Sequence, residues 1–178
     1  MSSSAHSSAT SASSSATSST ATSSAAASSS ASPNSLEWVE IHKTLDIAAP
    51  LEVAWAAMLD ELGPDAQLSD GSSYPFKLEA RPGGRWFRDL GNDSGHLWGF
   101  VQVIKPPTLL EITGPLMMSY PAINHLQYRF TAIDGGTRLT FTHRGMGTIK
   151  PEHRGDGVNE GWGSWNERIK KRAEGKGK

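Results

Sequence analysis

Between Trp38 and Ile47 the apolar residues Val39, Ile41, Leu45 and Ile47 alternate with Glu40, His42, Thr44 and Asp46. A period of two sends successive side chains to opposite faces, so the stretch is predicted as a half-buried strand. Pro50 suits the first turn of a helix, where its missing N–H does no harm. Val53, Ala54, Ala57, Met58 and Leu62 give that helix an apolar side before Gly63 and Pro64 end it. The polar stretch Asp65 to Tyr74 is expected as a loop with one short helical turn. Phe76 to Ala80 and Arg85 to Leu90 read as a hairpin around Arg81-Pro82-Gly83-Gly84, whose Pro and glycines supply turn dihedrals, followed by a loop over Gly91 to Gly95.

His96 to Ile104 is rich in aromatic and β-branched residues, and Pro106 and Pro107 separate it from a strand over Leu109 to Thr113. Ile123 to Ile133 and Thr137 to His143 form a hairpin through Asp134-Gly135-Gly136. After Gly147 the period changes. Val158, Trp162, Trp165 and Ile169 fall on one helical stripe, although glycines at 155, 157, 161 and 163 weaken its start by about 1 kcal/mol each relative to alanine. The order strand, helix, run of antiparallel strands, helix predicts an α+β fold with a sheet of about six or seven strands.

Composition splits the 178-residue chain. Apart from Met1 and His6, every residue through Ser32 is Ser, Ala or Thr. Such a segment cannot bury enough apolar surface to offset roughly 1–2 kcal/mol per residue of backbone ordering, so residues 1–35 are expected to be a disordered tail and 36–178 the folding unit. The tail has no basic n-region with an apolar h-region, and no Arg or Lys, so it reads as neither a secretory signal nor a transit peptide. A spacer, a multiply modified serine tract and a stretch translated upstream of the true start remain open for it. A net charge of −1 argues against nucleic-acid partners. The basic cluster of Lys170, Lys171, Arg172, Lys176 and Lys178 is read as complementing the helix C-terminal dipole. The absence of cysteine excludes disulfides and thiolate chemistry and fits a reducing, cytoplasmic setting. No apolar run approaches the roughly 20 residues of a membrane-spanning helix.

Several motifs carry a resemblance. Ala49-Pro50-Leu51-Glu52-Val53-Ala54-Trp55 resembles an Ala-Pro-x-Glu-x-Val-Trp entry to a first helix, Arg81-Pro82-Gly83-Gly84 a Gly-Gly turn, Gly99 to Leu110 a Gly-to-Pro-Pro-x-x-Leu hairpin, and Gly161-Trp162 the start of a closing helix. In order and spacing these are similar to the SRPBCC (START-like, Bet v 1-like) superfamily. Within it they resemble the group like the C-terminal domain of the activator of heat-shock protein 90 ATPase. The resemblance covers Trp38 to Arg172 and implies a helix-grip fold, a curved antiparallel sheet wrapped around a long C-terminal helix. It implies no single function, because the superfamily includes binders of lipids, hormones and polyketides, cyclases, hydrolases and co-chaperones. Two positions depart from the pattern. Ala54 replaces a valine, and Asn166 stands where the closing helix often has leucine, one turn after Trp162.

No catalytic constellation stands out. The six histidines include no pair at helical i, i+4 metalloprotease spacing, so no metal is expected, and no cofactor motif is present. Asp60 and Glu61 read as a solvated pair closing the first helix. Arg88, Asp89 and His96 read as ordinary loop polarity. Ser119 and Ser164 lie in no nucleophile elbow. The aromatic residues are more informative. Trp162, Trp165 and Asn166 on the helix, with Trp98, Tyr128 and His143 on the sheet, are the candidate lining of a helix–sheet cavity. The buried amide of Asn166 needs partners, from a ligand, from water or from His143. The leading expectation is non-catalytic binding of a small apolar or amphipathic molecule. The alternative is a co-chaperone-like module acting on a chaperone ATPase, and an enzyme is the third possibility.

Overall fold

The computed structural model describes residues 35–68 and 70–176. The disorder expected of the Ser/Ala/Thr tail concerns residues outside this range. Strand β1 (Glu37–Ile47) leads into helix α1 (Leu51–Glu61). Six strands follow: β2 (Lys77–Leu78), β3 (Arg85–Gly91), β4 (Ser94–Lys105), β5 (Leu109–Gly114), β6 (Ala122–Ile133) and β7 (Gly136–Gly147). A 3₁₀ turn (Pro151–His153) and helix α2 (Asp156–Lys176) close the order. All seven strands form one antiparallel sheet in the order β1-β7-β6-β5-β4-β3-β2. This is the α+β helix-grip architecture expected from the sequence. Among the described residues no helix is long and apolar enough to cross a membrane.

The two-residue period decides which face is buried. Along β6 and β7 the inward positions Leu126, Tyr128, Phe130, Leu139, Phe141 and His143 are sealed. Their register pairs Leu126 with His143 and Tyr128 with Phe141. α1 covers one end of this face, with Trp55 edge-on to Phe130 at 5.8 Å between ring centroids. The indole N–H of Trp86 donates to the Leu62 carbonyl at 2.7 Å and fixes β3 to the end of α1. α2 covers the middle of the face through Val158, Trp162, Ile169 and Ala173, all buried. The opposite face is polar along most rows, with Glu40 and Arg144 or Asp46 and Arg138 paired across strands. One row differs. Trp38, Met146 and Ile123 are direct cross-strand neighbours on β1, β7 and β6, and all three are exposed.

Three local expectations are corrected. The segment Gly91 to Gly95 is a tight connection rather than a loop: β3 and β4 meet through Asn92 and Asp93, with φ of 52° and 57°. Asn and Asp tolerate this left-handed conformation because their short side chains bond locally. The stretch 65–74 holds an isolated antiparallel bridge between Gln67 and Ser73. Glu61 is fully buried rather than solvated. Its two oxygens accept from Arg168 Nε at 2.6 Å and from an Arg172 terminal nitrogen at 3.1 Å, and Arg172 also donates to Asp65 at 2.8 Å. Two guanidinium groups supply the compensation a buried carboxylate requires.

Candidate functional site

α2 and the β4 end of the sheet enclose a cleft of about 330 Å³. The helix contributes Gly157, Val158, Gly161, Trp162, Ser164, Trp165 and Arg168. Trp98 comes from β4, Gln67 and Leu68 from the loop after α1, Met117 from the β5–β6 connection, and Glu152 and His153 from the 3₁₀ turn. The glycines recur along the helix side that borders the cleft. Their lack of side chains leaves room there, at the expense of helix propensity.

Behind the cleft lies a continuous aromatic cluster. Trp98 sits edge-on to Phe76 at 4.7 Å and to Trp86 at 5.2 Å, Trp165 lies 5.7 Å from Trp162, and Trp162 packs 4.9 Å from Phe141, which reaches Tyr128 at 4.8 Å. Of the six residues expected to line a cavity, Trp98, Trp162 and Trp165 border this cleft. His143 lies directly behind Trp162, while Tyr128 and Asn166 are buried away from its lining.

His143 is held in a closed chain of hydrogen bonds. Trp162 Nε1 can only donate, and it donates to His143 Nδ1 at 3.0 Å. His143 must therefore carry its proton on Nε2, which donates to Asn124 Oδ1 at 2.9 Å. The Asn124 amide nitrogen in turn donates to the Gly114 and Pro115 carbonyls, each at 3.3 Å. A side chain at Gly145, next in register to Asn124, would collide with this amide, so glycine is required there by close approach. Burial lowers the His143 pKa to about 4, which keeps the ring neutral. The partner of His143 is thus Asn124 rather than Asn166, and sequence reasoning had passed over Asn124.

Other polar atoms in this interior have no such satisfaction. Both amide atoms of Asn166, the Tyr128 hydroxyl and the indole nitrogens of Trp98 and Trp165 are buried without a hydrogen-bond partner in the protein. Burial, with the charge of Glu61 as a smaller contribution, pushes the Tyr128 pKa upward, so its phenol stays protonated. At the 3₁₀ turn, Tyr120 Oη and His153 Nδ1 are 2.6 Å apart with their rings stacked. Among the described residues no group of three or more His, Asp or Glu is arranged to hold a metal ion.

Comparison with known proteins locates this arrangement. No curated protein matches the chain. Solved structures do. An uncharacterized protein from Rhizobium leguminosarum is similar at 17% identity and TM-score 0.59, over 79% of this chain and 97% of that one. The AHSA1-like protein from Aeromonas hydrophila is similar at 20% identity and TM-score 0.56, over 78% and 94%. The di-domain ARO/CYC protein StfQ from the steffimycin biosynthetic pathway is similar at 14% identity and TM-score 0.53, over 78% of this chain and 51% of its own. At these identities the likeness establishes the fold alone. The family model described as "Activator of Hsp90 ATPase homolog 1-like protein" matches residues 48–174, and the chain belongs to that family.

Proposed function

We propose that residues 36–178 act as a non-catalytic binding domain that takes a small apolar or amphipathic molecule into the cleft beside α2. One observation carries this reading: an aromatic cleft walled by Trp98, Trp162 and Trp165 lies against an interior where Asn166, Tyr128 and two indoles hold unpaired polar atoms. Its volume falls at the small end of ligand pockets, which run from roughly 300 to 1,000 Å³. Each unpaired buried group costs about 1–3 kcal/mol, a cost that a ligand reaching behind Trp165 would relieve. The cleft is poor in chemistry. His153 is engaged with Tyr120, and His143 is engaged at both ring nitrogens. The reading needs no cofactor and no nucleic acid, and the cysteine-free composition suits the cytoplasm. Tryptophan fluorescence and thermal shift against a panel of lipids and small aromatics are the test. Binding is expected to change the emission of Trp98, Trp162 or Trp165 and raise the melting temperature, and no response across the panel would refute the proposal.

A second reading draws on the opposite face. The exposed row of Trp38, Met146 and Ile123 offers an apolar strip to another protein, and the family's description supplies the candidate, a heat-shock protein 90-type ATPase. In that case the domain changes chaperone ATP turnover and Trp38→Ser abolishes the effect. An unchanged rate in the presence of the wild-type domain counts against it.

A further inference from the structure

The geometry points to a carboxylate-bearing ligand, held by Arg168 at the end of the cleft remote from Glu152. This inference rests on the binding reading above and narrows it to a chemical class. The cleft follows α2 from Gly157 to Arg168, a run of roughly 16 Å at the helical rise. Its titratable side chains are separated along that length. Glu152 and His153 belong to the turn before the helix, and Arg168 stands at the far end.

Arg168 is prepared for recognition in a way that ion pairing alone does not require. Its Nε is committed to the fully buried Glu61 at 2.6 Å, and its guanidinium carbon lies 5.5 Å from the centre of the Trp165 ring. Both contacts fix the plane of the group. Its side chain is 19% exposed, and no described residue accepts from its two terminal nitrogens. Glu61 already draws its second bond from Arg172, so the terminal edge of Arg168 is left over. That edge presents two parallel N–H groups, the fork that matches the two oxygens of a carboxylate. The nearby unpaired indole nitrogens of Trp98 and Trp165 are also donors only. An amphipathic acid meets the whole arrangement, with its apolar body along Trp162, Val158 and Trp165 and its carboxylate on Arg168.

The test uses matched pairs on the full chain: decanoic acid and 2-naphthoic acid, each against its methyl ester, titrated by calorimetry. The wild type is expected to prefer each acid over its ester by about ten- to a hundredfold, the range of a charge-assisted hydrogen bond. Arg168→Gln should bring the ratio of acid to ester affinity to about one, and Arg168→Lys should keep only part of that ratio, because the charge remains and the fork is lost. Equal affinity of acid and ester for the wild type overturns the carboxylate inference and leaves the cleft reading standing. If none of the four compounds binds, the carboxylate inference falls, and the wider panel of lipids and aromatics decides the cleft reading. The wild-type comparison decides the matter even if the Gln variant does not fold.

Discussion

From Trp165 onward α2 is fixed by charge and packing, whereas from Asp156 to Ser164 it is fixed by little more than Val158 and Trp162. In the later half Ile169 and Ala173 are sealed into the core, and Arg168 and Arg172 clasp the buried Glu61. In the earlier half a Cβ at Gly157 or Gly161 would meet nothing within 4 Å, so packing does not call for glycine there. Glycine instead keeps this half of the helix weak where it borders the cleft. The contrast teaches that one helix can serve as both anchor and adaptable wall, with the division falling close to Trp165.

The strongest way to break this contrast is to strip the anchor. Arg168→Met together with Arg172→Met leaves Glu61 buried without a cation and is expected to cost about 3–5 kcal/mol in urea unfolding. An unchanged midpoint would show that the later half is held by packing alone. Next in size is a pH effect on the earlier half. In the unfolded chain His143 titrates near its ordinary value of 6.5, and in the folded protein only near 4. Between those values the unfolded chain holds a proton that the native state does not. The stabilisation is therefore complete above about pH 6.5 and is lost as pH falls toward 4, amounting to roughly 3 kcal/mol. Protonation would also cost Trp162 its acceptor. His143→Phe should remove this part of the pH dependence, measured by unfolding at pH 7 and pH 4.5.

A smaller change should act in the opposite direction. Asn166→Leu removes an unpaired buried amide and is expected to stabilise the ligand-free protein by about 1–2 kcal/mol by chemical denaturation. A loss of stability would mean that the amide has a partner in solution. The smallest effect sharpens the comparison at the soft half. Gly157→Ala and Gly161→Ala should each add about 0.5–1 kcal/mol of stability and slow amide exchange in the first turns of α2, with little change after Trp165.

Much of the fold was legible because burial in a two-faced sheet is written as alternation. β1, β6 and β7 differ from the expected ranges only at their ends, and the Val158, Trp162, Ile169 stripe is buried as its spacing implied. Three of the cleft's tryptophans were legible for a similar reason, since large aromatics on a helix stripe and a facing strand must meet. Leu68 and Met117 come from irregular connections, where no period reports a side chain's direction. Glu61 was misread because its burial is set by Arg168 and Arg172, more than a hundred residues away. Those two arginines stand four apart on one helix, and that spacing was the available signal. Asn124 was missed because alternation marks which face a residue takes and says nothing of its bonding. Gly145, within a strand and opposite it, was the clue.

The pairing of β1 with β7 sets a schedule for the molecule's birth. Ile41 meets His143 across the strand pair, about a hundred residues later in the chain. At a synthesis rate of roughly 5–20 residues per second, β1 waits some 5–20 s for β7, its strand neighbour among the described residues, to be made. During that interval the alternating apolar face of Val39, Ile41 and Ile47 has no sheet to join. The sheet cannot be completed strand by strand as the chain emerges. Its first strand is the last to be secured, the arrangement of high contact order that slows folding and lengthens exposure to wrong partners.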